Sequence, residues 1–114
     1  MVLRREWLQM KRGSAELAVL AVLEEEALHG YEIAKRIEAR SNGQLRFDVA
    51  SLYPLLYQLE SRRWVTGRWE QAPSGRKRRR YRLTEQGRKA LAPLRKDWRN
   101  FFHALDLVAG VRGA

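Results

Sequence analysis

The chain has 114 residues, 45% of them hydrophobic, which is enough for one packed domain and too few for two ordinary ones. It contains no cysteine, which excludes disulfide scaffolds, thiol nucleophiles and thiolate zinc sites. The 23 Lys and Arg against 13 Asp and Glu leave a formal net charge of +10.

The placement of that charge says more than its size. Residues 62–82 hold nine basic side chains and one acid, Glu70, so this window carries +8 of the +10. A charge needed only for solubility would be spread; a focused one attracts polyanions, and nucleic acid is the commonest of these in cytoplasm. The two histidines, His29 and His103, lie too far apart in sequence to suggest a metal site, and no cofactor is expected. No apolar run approaches a membrane span. The start of the chain lacks the apolar centre and small-residue cleavage site of a signal peptide, so the expected location is the cytoplasm.

In chain order, Leu3, Trp7 and Met10 fall at spacings of four and three, which predicts a short amphipathic helix ending near Gly13. Ser14 is placed to cap a second helix running to about Glu25. Its residues Leu17, Val19, Leu20, Val22 and Leu23 leave it apolar almost all round, so it is expected to be the most enclosed element. After His29-Gly30, a further helix carries Tyr31, Ile33, Ala34 and Ile37 inward, with Glu32, Lys35, Arg36 and Glu38 outward. Ser41-Asn42-Gly43 stops it.

The next helix is amphipathic in an unusual way. At about 100° per residue, Val49, Leu52, Leu55, Leu56 and Leu59 share one arc of roughly 120°. The opposite arc holds Ala50, Ser51, Pro54, Tyr57 and Gln58, with Tyr53 on the flank. Surface helices usually carry Lys and Glu there; this face is small, polar or aromatic, as a contact face would be. Asp48 is placed as its cap. Pro54 then falls past the first turn with the loss of one backbone bond, unless the helix proper begins at Ser51.

Residues 64–71 and 77–83 read as strands joined by Ala72-Pro73-Ser74-Gly75-Arg76. Val65 and Trp69 share a face of the first strand, Tyr81 and Leu83 a face of the second, and Arg78, Arg80 and Arg82 the other face. Thr84 caps a long last helix, in which Leu91, Leu94, Trp98, Phe101, Phe102, Leu105 and Val108 form one stripe. Pro93 is expected to kink it or delay its regular start. Burying one such side chain contributes roughly 1.5–3 kcal/mol, so seven of them argue for association. A two-fold pair of these helices, clasped by the Leu3-Trp7-Met10 face, would cover the stripe.

These elements define a mainly α fold with a small β-hairpin: a winged helix-turn-helix at 13–84, a dimerisation helix at 1–12, and a C-terminal dimerisation helix and tail at 85–114. In such modules the third helix enters the major groove and the hairpin reaches neighbouring phosphates or the minor groove. Ala50, Ser51 and Pro54 are small enough to approach base edges, and Gln58 can pair bidentately with adenine. Tyr53 and Tyr57 complete the face toward DNA. Arg76, Lys77, Arg78, Arg79 and Arg80 would supply affinity with little sequence information, since phosphates are alike everywhere. His29 is read as a packing or capping residue, and Tyr31 and Tyr81 as packing residues. A basic module that reads RNA or architectural DNA by shape is the alternative. An enzyme has little support, because no nucleophile is paired with a base and no Gly-rich phosphate loop occurs.

Four motifs carry a further resemblance. Leu28-His29-Gly30-Tyr31-Glu32-Ile33, Ser51-Leu52-Tyr53-Pro54-Leu55-Leu56, Leu59-Glu60 and Tyr81-Arg82-Leu83-Thr84-Glu85-Gln86-Gly87 resemble, in order and spacing, those of PadR-type transcriptional regulators. The short tail resembles the compact subgroup with one C-terminal helix. The resemblance implies a homodimeric winged-helix repressor that pairs through its C-terminal helix, and often its N-terminal one. It places Ser51, Tyr53 and Pro54 at the DNA-facing start of the recognition helix. It also aligns Trp98 with a tryptophan that, in drug-sensing members, lines the dimer interface and stacks on planar aromatic compounds, with Phe102 beside it. Dimer core is the first expectation for Trp98 and an effector site the second. One departure stands out: Arg63 occupies a position where the family commonly has Gly. A left-handed backbone there would cost on the order of 1 kcal/mol.

Overall fold

A computed structural model describes the backbone of residues 4–111 and the side chains of residues 13–111. Its elements are α1 (Arg4–Leu23), β1 (Leu28–His29), α2 (Gly30–Arg40), α3 (Val49–Ser61), β2 (Val65–Gln71), β3 (Lys77–Leu83) and α4 (Glu85–Ala109). The three strands form an antiparallel sheet in the order β1-β3-β2.

The two N-terminal helices expected from sequence are one. α1 runs through Gly13 and Ser14, so Ser14 is inside a helix rather than its cap. Gly in a helix interior costs only about 1 kcal/mol relative to Ala, whereas a break creates two new ends with unpaired backbone groups. Gly13 also lies against the Trp98 ring, since a Cβ added there would stand 3.4 Å from it. The predicted face of Leu3, Trp7 and Met10 lies outside the described side chains.

The core gathers Val19, Leu20 and Leu23 of α1, Ile33 and Ile37 of α2, Leu52, Leu56 and Leu59 of α3, Val65, Tyr81 and Leu83 of the sheet, and Leu91 of α4. Helical and strand periodicities therefore deliver their apolar faces to one place, as the sequence predicts.

The start of α3 is settled. Asp48 is its N-cap and Val49 its first residue, so Pro54 lies past the first turn and forgoes one backbone bond. The Asp48 side chain makes no cap bond; its carbonyl accepts from the Ser51 hydroxyl at 2.7 Å. At the other end, Arg63 N–H bonds to the Glu60 carbonyl at 2.9 Å and Trp64 N–H to that of Leu59 at 3.0 Å. This is a complete Schellman stop, and Arg63 occupies its left-handed position with φ of 63°. A residue with a Cβ stands where glycine is the easy choice.

Thr84 caps α4 as expected, its hydroxyl accepting from Gly87 N–H at 2.9 Å and donating to the Arg63 carbonyl at 2.6 Å. Gly87 is required for another reason: a Cβ there would collide with the carbonyl of Trp64 and press on Leu83. α4 is continuous through Pro93 from Glu85 onward, so the regular start is not delayed. Gly110, left-handed at φ of 62°, ends it.

Candidate nucleic-acid interface

The candidate contact surface is built on α3. Leu52, Leu55, Leu56 and Leu59 are buried, which turns Ala50, Ser51, Tyr53, Pro54, Tyr57 and Gln58 to the exterior. No charged side chain occurs between Val49 and Leu59, so no carboxylate on this face opposes an approaching phosphate. Tyr53 rests over the start of α2: a Cβ on Gly30 would meet its ring and hydroxyl at 3.1–3.2 Å. Gly30 thus leaves Tyr53 its place beside the α3 face.

Tyr31 overturns one expectation. It does not pack in the core but is 61% exposed, with the Lys35 ammonium 5.5 Å from its ring centroid. At about 100° per residue Tyr31 stands well off the buried arc of Gly30, Ile33, Ala34 and Ile37, which turns its ring outward. Tyr81 does pack, fully buried, and burial pushes its hydroxyl up to about 12. Its oxygen has no hydrogen-bond partner among the described residues.

The hairpin stands beside α3 as a wing. Its register sets Val65 opposite Leu83, Gly67 opposite Tyr81, Trp69 opposite Arg79 and Gln71 opposite Lys77, all on one face. Thr66, Arg68 and Glu70 oppose Arg82, Arg80 and Arg78 on the other. Gly75, with φ of 88°, allows the tip to close through the bond from Ala72 N–H to the Arg76 carbonyl at 2.8 Å.

The five predicted wing cations do not stand alike. Arg76 and Lys77 are exposed at the tip, without a side-chain ion pair among the described residues. Arg78 is also exposed, 3.6 Å from Glu70. Arg79 and Arg80 are half-buried and engaged within the protein. Arg79 turns inward, donates to Glu60 on α3 at 2.6 Å, and lies over the rings of Trp69 and Tyr81. Gly67 makes its room, since a Cβ there would strike the guanidinium. Arg80 turns outward, donates twice to Glu70 at 3.0 and 3.1 Å, and donates once to the Ala27 carbonyl at 3.0 Å.

Glu70 gathers these cations. Besides Arg80, it faces His29 Nε2 at 2.5 Å, and the two contacts, Arg80 foremost, hold its carboxyl down to about 2. The buried His29 caps α2: its backbone N–H donates to Glu32 at 2.9 Å, and its Nδ1 stands 2.5 Å from the same carboxylate. The capping role read from sequence is the observed one. The backbone N–H of His29 is the main reason the Glu32 carboxyl is lowered. His29 therefore fixes the wing, through Glu70, to the start of the helix-turn-helix.

The predicted association residues lie elsewhere, on α4. Leu91 is buried, Leu94 and Trp98 are half-buried, and Phe101, Phe102 and Leu105 are exposed. Trp98 packs edge-on against Phe101 with centroids 5.8 Å apart, and against Phe102 at 5.6 Å. The core of one chain thus covers the first part of the stripe and leaves the second open.

Comparison with known proteins agrees with this geometry. The family model of the transcriptional regulator PadR-like family matches residues 19–93. An uncharacterised protein of Lysinibacillus sphaericus is 30% identical over 96 residues, which span 84% of this chain and 88% of the relative. Among solved structures, a transcriptional regulator from Clostridium thermocellum superposes with a TM-score of 0.80 at 22% identity, over 89% of this chain and 98% of that one. A PadR-like regulator from Bacillus cereus gives 0.71 at 23% identity, over 93% and 99%. Bacillus subtilis PadR, solved in complex with operator DNA, gives 0.62 at 24% identity, over 73% of this chain and 45% of that one. By its winged helix-turn-helix and the match across most of its length, the chain belongs to the PadR-like family of transcriptional regulators.

Proposed function

We propose that the protein is a homodimeric repressor that binds a two-fold operator in the cytoplasm. The observation that carries this reading is the exposed, charge-free face of α3 beside the unpaired cations of the wing tip. Ala50, Ser51, Tyr53, Pro54, Tyr57 and Gln58 would meet base edges and adjoining sugars. Arg76, Lys77 and Arg78 would meet phosphates, and Arg79 and Arg80 would hold the wing in the posture that lets them. The similarity to Bacillus subtilis PadR, whose structure contains operator DNA, supports the same placement.

Pairing through α4 accounts for its apolar stripe. Trp98, Phe101, Phe102 and Leu105, with Leu91 and Leu94 at the covered end, would pack about a two-fold axis together with Leu3, Trp7 and Met10. Two α3 helices would then lie about one DNA turn, roughly 34 Å, apart. The tilted pair of Trp98 and Phe102 is suited to a planar apolar effector that enters between the subunits and relieves repression.

Selection of bound duplexes from a random pool tests the reading. The expected product is a palindrome, and replacing Gln58 or Ser51 should change its sequence. Replacing Arg76, Lys77 and Arg78 by Ala should weaken binding to every duplex alike and reduce the salt slope by about 0.9 per lost phosphate contact. Equal affinity for random duplex and structured RNA would overturn the repressor reading in favour of shape recognition.

A further inference from the structure

We propose that the outer face of the wing carries a phosphate-binding site, built on Arg68 and Arg82 and separate from the surface of α3 and the wing tip. The sheet's register creates it. Arg68 lies directly opposite Arg80, which lies directly opposite His29 on its other side, and Arg82 lies opposite Thr66. Since Val65, Tyr81 and Leu83 point into the core, these residues point away from it.

That face holds Arg68, Arg78, Arg80 and Arg82 against one carboxylate, Glu70. Glu70 is already engaged with Arg80 and His29, and Arg80 is occupied by Glu70 and the Ala27 carbonyl. Arg68 and Arg82 are exposed and have no ion pair among the described residues. The acids between α1 and α2, and Glu32 of α2, are already paired. Glu24 pairs with Arg95, Glu25 with Arg40, Glu26 with Arg36, and Glu32 with His29.

Arg68 lies opposite Arg80, like charges so placed are destabilising, and Glu70 supplies a single counter-charge to the three arginines gathered here. A cavity of about 250 Å³ opens at that point, lined by Ala27, Thr66, Gly67, Arg68, Arg80 and Arg82 and by the one carboxylate of Glu70. Arg68 and Arg82 lie on a cross-strand diagonal, within reach of one ligand for such long side chains. Two guanidinium forks need an acceptor with several oxygens, and the Thr66 hydroxyl adds a donor. A phosphate group, with four oxygens arranged tetrahedrally, meets that demand better than a carboxylate, which has only two in one plane. The ligand chemistry is a phosphate group, carried either by a free phosphate compound or by a nucleic-acid backbone.

The test follows the arginine side-chain Nε–Hε resonances of the intact protein. Potassium phosphate is added against potassium chloride at matched ionic strength. Saturable movement of Arg68 and Arg82 in phosphate alone, without equal movement of Arg76, is expected. Arg68→Gln or Arg82→Gln should abolish it and Arg76→Gln should not. A random-sequence duplex is then added in the presence of phosphate. If the Arg68 and Arg82 signals move to a new position, the site takes a nucleic-acid backbone; if they stay, it takes free phosphate. Equal movement in chloride, or equal movement at Arg76, overturns the site. The double variant should keep its duplex selection through α3, so the outcome is independent of the repressor reading.

Discussion

Arg79 Nη2 lies 2.6 Å from Glu60 Oε2, and this contact joins the wing to the last turn of α3. Both side chains are 22% exposed, so salt screens the pair less than an open surface pair. Arg79 also covers Trp69 and Tyr81, and its Nε is buried without a partner among the described residues. One side chain therefore ties the wing to α3.

Glu60→Gln keeps the size of the side chain and removes its charge. The expected loss is about 1.5–3 kcal/mol, the typical worth of a hydrogen bond to a charged group. Urea unfolding measures it, and the midpoint should fall with the slope unchanged. Gly67→Ala should produce a similar loss by displacing the guanidinium from the other side.

Arg63→Gly should stabilise the protein by about 0.5–1 kcal/mol, because glycine adopts the left-handed Schellman position without a Cβ penalty. Arg63 makes no side-chain contact among the described residues that would offset the gain. A rise in thermal midpoint is the readout; a fall would show that the Arg63 side chain has a structural task.

Gly87→Ala should act in the opposite direction. Its new methyl group would meet the Trp64 carbonyl, a backbone atom fixed by its bond from Thr84 N–H at 3.0 Å. Overpacking of this kind costs about 1–3 kcal/mol. Chemical denaturation should show that loss, while Gly75→Ala, with open space around its Cβ, should lose only the penalty of a positive φ.

Glu70 gives stability a defined acid dependence. Its carboxyl is held at about 2 in the folded protein against a reference of 4.5. A lowered value means that its contribution is fully present above 4.5 and is lost as pH falls from there toward 2. Comparing the wild type with Glu70→Gln should show the two acid-unfolding curves converging across that window. Curves that stay parallel would show that the Arg80 and His29 contacts do not hold in solution.

The elements readable in advance were those whose periodicity matched one environment along their whole length. Val49 to Leu59 buried its leucines as the helical arc required, and both wing strands began and ended within a residue of their expected limits. Errors arose where a local signal competed with tertiary packing. Gly13 looked like a stop, but the ring of Trp98, distant in sequence, lies against the helix there. Tyr31 was grouped with Ile33, Ala34 and Ile37 as an apolar residue, although helical spacing sets it well off their buried arc. The arginine run misled in a different way. Alternation separated Arg79 from Arg78 and Arg80, but only the fold shows that Glu60 takes the first and Glu70 faces the other two. Exposed cations at Arg68 and Arg82 were likewise hidden, because sequence does not reveal which acids are already taken.

The corner between α1 and α2 is secured at two points. Arg95 of α4 grips Glu24, and Arg80 of the wing grips the carbonyl of Ala27, three residues later. This short strap is thus common to α4, with its apolar stripe, and to the hairpin that stands beside α3. Neither part can be re-angled without tugging on the same few peptide units.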